Sequence, residues 1–447
     1  MGRFLLLLVV TFTSVGFAAA EQKSPVDGAV SKLTGSATMI VPGNPEPIVL
    51  REGDKVPSGA VITTGDESRL LLRTFNGTVA TASANTTIEV EEISVTTEQG
   101  VVKKENTMIA LKSGNLVSTL DPSKRSVNNY GVRTPKGVAA ARGTVFSTEV
   151  ALVSQITSIS TSDGALTIEF GGQTYSIVAG TISINGAAPV SLASAASDPA
   201  TAGTVDALLN AAVEAVSEVV EMGGTDLSAE AATSVLANVT QAAVTAAVAQ
   251  QEARVNNPAI PAPTKSAEQI TERVVAAVTS PNSATGGSGA GVTAALAAVT
   301  QAASNGVITG ISQSASIRAT AQALAQNLSP AEAAAAGAAA AVAAATGGAA
   351  TAAVNAVATR VNATVATAQA NNPALAAAVA SGAVGAAVTG GATAATNNAA
   401  ATGAQAAAAV TNPATAAATP AAPANPNANA PTIPIIDTSL IIVSPSS

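Results

Sequence analysis

The sequence lacks three residue types on which much enzyme and metal chemistry depends. Its 447 residues include no cysteine, no histidine and no tryptophan, and aromatic residues make up only 2% of the chain. Without His or Cys, the chain cannot build a Ser-His-Asp or Cys-His catalytic group, or a zinc site with such ligands. We therefore predict a protein without catalytic residues, without a cofactor or metal site, and without disulfide bonds.

Carboxylates remain as candidate acid–base groups. The only candidate cluster of carboxylates consists of Glu89, Glu91 and Glu92. On a strand, Glu89 and Glu91 would share one face, because successive side chains alternate between the two faces. Such a pair is more often solvated than catalytic, so we expect no enzyme activity. A hydrolase activity that is abolished by Glu89→Gln would overturn this expectation.

The charge balance of the chain is acidic. Twenty basic and 28 acidic residues give a formal net charge of −8. The two short basic clusters, Lys103-Lys104 and Lys124-Arg125, form no stripe that could neutralise a row of phosphates. We therefore expect no nucleic-acid partner.

The first twenty residues have the layout of a secretory signal. Arg3 supplies the positive charge, an apolar run extends from Phe4 to Phe12, and Ala18-Ala19-Ala20 offers a small-residue cleavage site. The uninterrupted apolar stretch from Phe4 to Val10 is far shorter than the ~20 residues that a spanning helix needs. We predict that residues 1–20 are a cleaved signal peptide and that the mature chain is exported to the periplasm, the cell surface or the medium.

Composition changes sharply along the chain. From Pro261 to Ser447 there are only four basic and four acidic residues, so nearly all ionic and aromatic content precedes Pro261. Such a shift marks a domain boundary, which we place near Ser197. We expect a β domain at residues 26–194, an Ala-rich helical region at 198–419 and a Pro/Asn-rich tail at 420–447.

The first of these regions has the pattern of strands and turns. Ile88–Glu91 and Leu166–Phe170 alternate apolar and polar residues, as half-buried strands do. Asn76-Gly77 between two apolar segments is a strong hairpin signal. Further turn markers include Ser113-Gly114-Asn115, Asp163-Gly164, Gly171-Gly172 and Asn185-Gly186. We predict an all-β domain, a sandwich or roll.

The second region has helical periodicity and helix-capping residues. Apolar residues recur at helical spacing from Val205 to Val220 before Gly223-Gly224 stops the run. A cap residue followed by proline predicts a helix start, and this pair occurs at Asp198-Pro199, Asn257-Pro258, Ser329-Pro330, Asn372-Pro373 and Asn412-Pro413. Gly-Gly pairs predict helix breaks, and they occur at Gly286-Gly287, Gly347-Gly348 and Gly390-Gly391. We predict a string of Ala-rich helices, partly of low complexity.

How these helices pack is left open by their composition. From Pro330 to Ala374 the chain has no Leu, Ile or Phe, so close-packed Ala faces, partial disorder and a low-complexity linker are all compatible with it. The uncharged stretch from Ala333 to Thr359 is only weakly apolar, and we expect no stable membrane span there. The apolar tip Ile433–Val443 could add as a strand to a partner's sheet, but we expect it to cover an edge of the chain's own β domain.

Several blocks of the β region, taken in order, resemble the FecR-type extracytoplasmic domain. The first block is Gly59–Leu72, followed by Phe75–Thr78, Asn85–Val90 and Leu111–Leu116, and the run Thr134–Phe146 closes the series. The resemblance spans Gly35 to Val150 and does not extend beyond Ser197. It implies an all-β, non-catalytic module outside the cytoplasm.

Family members that signal are membrane-bound regulators, with a cytoplasmic segment that acts on a sigma factor, a transmembrane helix and this domain outside the membrane. Here the domain directly follows the predicted signal, which leaves no room for the cytoplasmic part, so we expect only the extracytoplasmic module. Within it, Arg69, Arg142, Gly143 and Thr144 are candidate contact or turn residues, and we favour a structural role for them.

Three functions fit these observations. The leading one is a secreted or periplasmic interaction module that binds a protein or a cell-envelope component, carried on an Ala-rich spacer. The second is a soluble sensor subunit that relays a signal to a separate membrane regulator of a sigma-factor system. The third is a surface structural or adhesive protein.

Overall fold

The computed structural model describes residues 21–150, 156–160, 165–223, 227–286 and 289–411. The predicted signal peptide, the Asp163-Gly164 turn, the start at Asn412-Pro413 and the predicted tail lie outside these residues. The described part of the N-terminal region consists of strands, as predicted for an all-β domain. These strands are β1 (Gln22–Pro25), β2 (Gly28–Thr34), β3 (Ala37–Val41), β4 (Asn44–Val49), β5 (Lys55–Val56), β6 (Val61–Thr64), β7 (Arg69–Phe75), β8 (Thr78–Ala82), β9 (Thr87–Glu98), β10 (Val101–Leu120), β11 (Asn128–Thr134), β12 (Gly137–Arg142), β13 (Val145–Val150), β14 (Ile156–Ser160), β15 (Ala165–Phe170), β16 (Gln173–Ile177), β17 (Thr181–Ile184) and β18 (Val190–Ser191).

The strands form two sheets that share β10. In sheet A the order is β4, β3, β6, β9, β10, β11, β12, β15 and β16, and β1 pairs with the far end of β9. In sheet B the order is β2, β7, β8, β10, β13, β14, β17 and β18, and β5 pairs with the start of β2. Among the described strands, β10 and β11 are the one parallel pair.

Strand β10 passes from one sheet to the other at Gly114. The sequence predicts a turn at Ser113-Gly114-Asn115, and this prediction is wrong, because β10 continues through it. Gly114 has a φ of +90°, and a Cβ there would lie 2.7 Å from Thr86 Cα. The glycine thus permits a bend, after which the strand pairs with β8 and β13 instead of β9 and β11.

Both faces of sheet B are buried. Leu70 and Leu72 of β7 point into the core between the two sheets, where Ile88, Ile109 and Phe146 also lie. Leu71, between them, points to the other face and belongs to the core of the helical region. The uninterrupted run Leu70-Leu71-Leu72 therefore reflects burial on both sides, whereas a strand with one solvated face would alternate.

The C-terminal region is helical, as predicted. In the β region, the predicted hairpin at Asn76-Gly77 and the predicted turns at Gly171-Gly172 and Asn185-Gly186 are also present. The helices are α1 (Leu192–Ala196), α2 (Ala202–Met222), α3 (Ala229–Asn256), α4 (Ala267–Thr279), α5 (Gly289–Ala325), α6 (Pro330–Thr346), α7 (Gly348–Ala368), α8 (Pro373–Ala380), α9 (Ala383–Asn397) and α10 (Ala399–Thr411). Single turns of 3-10 helix occur at Pro122–Lys124 and Gln369–Asn371.

Two of the predicted cap-proline starts are confirmed. Ser329 forms a capping box with Glu332 at the start of α6, and the side chain of Asn372 accepts a hydrogen bond from Leu375 N at the start of α8. The starts at Asp198-Pro199 and Asn257-Pro258 are wrong. The Asp198 side chain accepts a hydrogen bond from Ala200 N, and the Asn257 side chain accepts one from Ala259 N. Both side chains therefore stabilise turns and do not cap the start of a helix.

Glycines bring the Ala-rich helices into close contact. Gly306 and Gly310 of α5 pack on α3 near Val244 and Val248, so α3 and α5 run parallel. The break predicted at Gly390-Gly391 is wrong, since α9 continues through it. A Cβ at Gly391 would lie 2.6 Å from Ala297 O of α5. This glycine therefore serves helix packing, which explains how helices poor in large side chains still bury a face.

Ion pairs connect three helices in series. Arg273 of α4 pairs with Glu214 and Glu221 of α2, and Glu272 of α4 lies 3.5 Å from Arg360 of α7. Lys265, just before α4, also pairs with Glu214. These ion pairs thus lie between neighbouring helices of a region that has few charges.

By length and composition alone, α3 and α5 could each cross a membrane, and α6 with α7 could form a third span bent by 46°. The bent pair includes the stretch Ala333–Thr359 for which we expect no span, and the bend falls at the predicted break Gly347-Gly348. The expectation that the chain has no stable span is therefore not confirmed. In the structure, 67% of the most apolar stretch of α3 and 61% of that of α5 are buried within the protein itself.

Candidate functional site

The closing block of the family-like region folds as two strands around a tight hairpin. Thr134 ends β11 and Gly137 begins β12, with Pro135 and Lys136 at the turn. The Thr134 hydroxyl accepts a hydrogen bond from Gly137 N at 3.1 Å and donates one to Gly137 O at 2.9 Å. This side chain therefore fixes the hairpin that carries the exposed Pro135 and Lys136.

A cleft of about 550 Å³ lies beside this hairpin. It forms where β10 and β11 part, since their pairing ends at Ala110 and Arg133 and β10 then bends toward sheet B. Ala110, Leu111 and Val138 line the cleft together with hairpin residues, and four charged residues also border it: Lys112, Arg133, Lys136 and Glu169.

Two of the bordering cations are held by glutamates of β9. Lys112 Nζ lies 3.0 Å from Glu89 Oε2, and Arg133 Nε donates to Glu91 Oε2 at 3.0 Å. Lys136 is exposed on the hairpin. Because both pairs are partly solvated, their contribution to stability is small. The cleft is therefore bordered by two ion-paired cations and by the exposed Lys136, and its lining is partly apolar and partly polar.

The third glutamate of the cluster also has a cationic partner. Lys23 Nζ of β1 lies 2.7 Å from Glu92 Oε1, and Ser94 donates a hydrogen bond to the same oxygen. Burial raises the pKa of Glu92, but the hydrogen bonds and the charge of Lys23 outweigh it, so the pKa lies below the ordinary value of 4.5. Glu89, Glu91 and Glu92 thus each pair with a different cation, an arrangement typical of a structural surface.

Gly143 and Thr144 lie at the break between β12 and β13. Gly143 has a φ of +58°, and a Cβ there would lie 2.9 Å from Pro122 Cα and 3.0 Å from Arg125 Cβ. Thr144 is fully buried, and its carbonyl accepts a hydrogen bond from Leu120 N. Gly143 thus lies close to the 3-10 turn at Pro122–Lys124, and Thr144 bonds to the end of β10; the structural role of both residues stays a prediction.

Asp121, which the sequence analysis missed, connects that turn to the helical region. Its Oδ1 accepts hydrogen bonds from Ser123 N at 2.8 Å and from Ser123 Oγ at 2.7 Å. Its Oδ2 lies 3.4 Å from Ser228 N, at the N-cap of α3. The pair Asp121-Pro122 signals a turn start in the sequence, but the contact with Ser228 follows only from the tertiary fold.

The four residues predicted as possible contacts lie in two places. The break between β12 and β13 holds three of them: Arg142, Gly143 and Thr144. Arg142 pairs with Ala165 of β15. The role of Arg142 stays a prediction. Arg69 lies at the start of β7 and faces α2, where its Nη1 donates to Glu218 Oε1 at 2.7 Å. Lys32 Nζ of β2 is 3.9 Å from the same oxygen. Sequence reasoning found Arg69 but not the partner carboxylate.

The family-level resemblance is confirmed by comparison with known proteins. Residues 60–167 match the family model described as FecR protein, so the chain contains a FecR domain that begins just before β6, includes the Thr134–Gly137 hairpin and ends within β15. A crystal structure of a protein assigned provisionally as an anti-sigma factor from Parabacteroides distasonis shares 12% identity. That match covers 28% of this chain and 55% of the other, with a TM-score of 0.23. No curated protein matches the sequence.

Proposed function

We propose, from the FecR domain at residues 60–167, that this chain is an exported, non-catalytic protein of extracytoplasmic signal transduction. In this role the domain recognises a protein or an envelope component and the helical region stays attached to it. The match to the FecR family model is the observation that carries the proposal, because that family is regulatory. A sensor subunit that relays binding to a separate membrane regulator is the form of this function that the match favours.

The recognition surface in this proposal is the cleft beside the Thr134–Gly137 hairpin. Lys136 is exposed at its edge, and Lys112 and Arg133 are held in partly solvated pairs. Surfaces that combine apolar and charged groups are typical of protein recognition. The separate pairing of Glu89, Glu91 and Glu92 supports a role without catalysis.

The test compares two charge reversals in the whole mature chain. The bait carries Lys136→Glu at the cleft or, as control, Lys55→Glu on the exposed part of β5. Each bait is incubated with envelope extract, and captured components are identified by mass spectrometry. We expect the wild type and Lys55→Glu to capture the same membrane-anchored regulator or envelope component, and Lys136→Glu to lose it. If Lys136→Glu and Lys55→Glu capture the same component equally well, the cleft is not the recognition surface. If the chain is recovered only from the cytosol, the proposal that it is exported is wrong.

A further inference from the structure

Strand β16 ends sheet A with an edge that no described strand covers. Among the described strands it pairs with β15 alone. The loop Gly171-Gly172 between the two strands has two residues, so Phe170 and Gln173 form a hydrogen-bonded pair, and such pairs then alternate along the hairpin. The N–H and C=O groups of Thr174 and Ser176 therefore point away from β15, and both residues are exposed.

This edge lacks the features by which proteins protect an exposed strand. Proline, charged side chains and irregular pairing are the usual protections. Strand β4, at the other end of sheet A, carries Pro45, Glu46 and Pro47, and its pairing with β3 includes a register shift. Strand β16 contains no proline and no charged residue, and its register with β15 is continuous. A further strand can therefore add to the edge of β16.

The predicted tail contains one segment with the composition of such a strand. The stretch Ile435–Ser444 has no proline, whereas a proline flanks it on each side. Most of its residues are β-branched, and such residues favour strands. On a strand, Ile436, Leu440 and Ile442 would share one face, and Asp437 would lie on the other. The segment therefore has the pattern of a strand with one apolar face.

The described fold places the start of the tail close to β16. Helix α10, the last described helix, contacts β18. Strand β18 pairs with β17, which follows β16 after a short connection. Residues 412–434, which join α10 to the segment, can span up to about 75 Å when extended. The segment can therefore reach the edge of β16 without any rearrangement of the described helices and strands.

We propose that the segment Ile435–Val443 of the same chain adds to sheet A as a strand along the edge of β16. Its backbone bonds to the outward N–H and C=O groups of Thr174 and Ser176. Its apolar face lies on the side of β16 that carries Tyr175 and Ile177, which pack on the core between the sheets. The segment thus extends that core and covers the exposed edge. Strand β16 lies beyond the FecR match, which ends at residue 167, so this contact is separate from recognition at the cleft.

The first test is a cysteine scan, which is specific because the chain has no natural cysteine. The full mature chain carries Thr174→Cys together with a second cysteine, placed in turn at each position from 436 to 442. Hydrogen-bonded strand partners have Cα atoms about 5.5 Å apart, within reach of a disulfide. In dilute oxidising solution, we expect one position to crosslink within the chain about tenfold or more faster than its immediate neighbours. With Glu46→Cys on β4 in place of Thr174→Cys, no position should be preferred.

The second test measures amide hydrogen exchange in β16. Proline cannot donate a hydrogen bond within a strand, so Leu440→Pro should release the segment. We expect exchange of the peptide that contains Gln173–Ile177 to become about tenfold or more faster in Leu440→Pro. Ala428→Pro, between α10 and the segment, is the matched control and should leave this exchange unchanged. Circular dichroism and melting of both variants check that the rest of the chain stays folded.

The proposal requires both results. If no position of the scan is preferred by Thr174→Cys, or if Leu440→Pro leaves the exchange of β16 unchanged, the segment does not pair with this edge and the proposal is wrong. A preferred crosslink that joins two chains would also overturn it, because the strand on β16 would then come from a second copy. None of these results affects the capture experiment above, which depends on Lys136.

Discussion

Arg69 of β7 and Glu218 of α2 are 149 positions apart in the sequence and meet at 2.7 Å in the structure. Their side chains are 29% and 11% exposed, so the pair is more buried than most others in the protein. It joins the FecR domain to the helical region, and it gives a candidate residue of the domain a partner outside the family match, which ends at residue 167. The two regions are therefore physically coupled.

A double-mutant cycle measures this coupling. We expect Arg69→Ala, Glu218→Ala and the double variant to give an interaction free energy of about 1–3 kcal/mol, because either single change leaves a mostly buried charge without its main partner. The measurement is denaturant unfolding of the full chain. Lys103 and Glu98, a pair at 3.1 Å with side chains 46% and 40% exposed, provide the control, for which we expect about 0.2–1 kcal/mol. Equal coupling for the two pairs would contradict a special role of the interface.

The fold class follows from the sequence, but the contact between its two regions does not. Alternation in Ile88–Glu91 and the hairpin signal Asn76-Gly77 are local, and they predict strands and a turn correctly. The cap-proline pairs are also local, and two of them, Ser329-Pro330 and Asn372-Pro373, predict helix starts correctly. The uninterrupted run Leu70-Leu71-Leu72 is a local sign of a strand buried on both faces, but the helical residues that cover Leu71 lie far along the chain and have no local signal. Arg69 is recognisable as a candidate, whereas its partner Glu218 has no local signal.

Glycine is the residue type whose role the sequence predicts least well. Gly114 and Gly390-Gly391 both suggest breaks, because glycine is common at turns and helix ends. In the structure Gly114 bends a continuous strand, and Gly391 lets α9 approach the backbone of α5. Both roles depend on the neighbouring backbone, which only the tertiary structure supplies. The position of the cleft could not be predicted from the sequence either, because the cleft forms where the pairing of β10 with β11 ends.

Gly143→Ala should destabilise the FecR domain through two separate effects. A left-handed backbone costs an alanine about 1 kcal/mol or more, and the new Cβ would meet Pro122 and Arg125 at 2.9 and 3.0 Å. Overpacking of this kind adds about 1–3 kcal/mol. Gly180→Ala is the matched control, because Gly180 has a φ of +74° with open space around it. We expect the melting temperature of Gly143→Ala to be clearly lower than that of Gly180→Ala. Similar melting temperatures would show that the close approach of Gly143 to Pro122 and Arg125 is unimportant for stability.

The adjacent glycines of α9 should respond in opposite directions to alanine. At Gly391 a Cβ would lie 2.6 Å from Ala297 O, so Gly391→Ala forces α9 away from α5 and should cost about 1–3 kcal/mol. At Gly390 there is open space, so Gly390→Ala should be neutral or stabilise by up to about 1 kcal/mol through helix propensity. Denaturant unfolding compares the two. If both substitutions stabilise the chain, the close packing of α9 on α5 is wrong.

Two half-buried glutamates should give stability changes of opposite sign near neutral pH. Burial raises the pKa of Glu149 above its ordinary value of 4.5. The folded state therefore binds a proton more readily than the unfolded state, and stability falls as pH rises through the folded pKa. Glu149→Gln keeps a neutral side chain, so it should be more stable than the wild type near neutral pH and should lose that advantage well below 4.5.

Glu214 should behave in the reverse manner. Burial raises its pKa, but the hydrogen bonds and charges of Lys265 and Arg273 outweigh this effect and hold the pKa below 4.5. Its contribution to stability is then present above the ordinary pKa and is lost as pH falls through the folded value. Glu214→Gln should accordingly be less stable than the wild type near neutral pH, with the difference shrinking in acid. Denaturant midpoints measured across this range check both variants, and a shift of the same sign for the two at neutral pH would contradict the assigned environments.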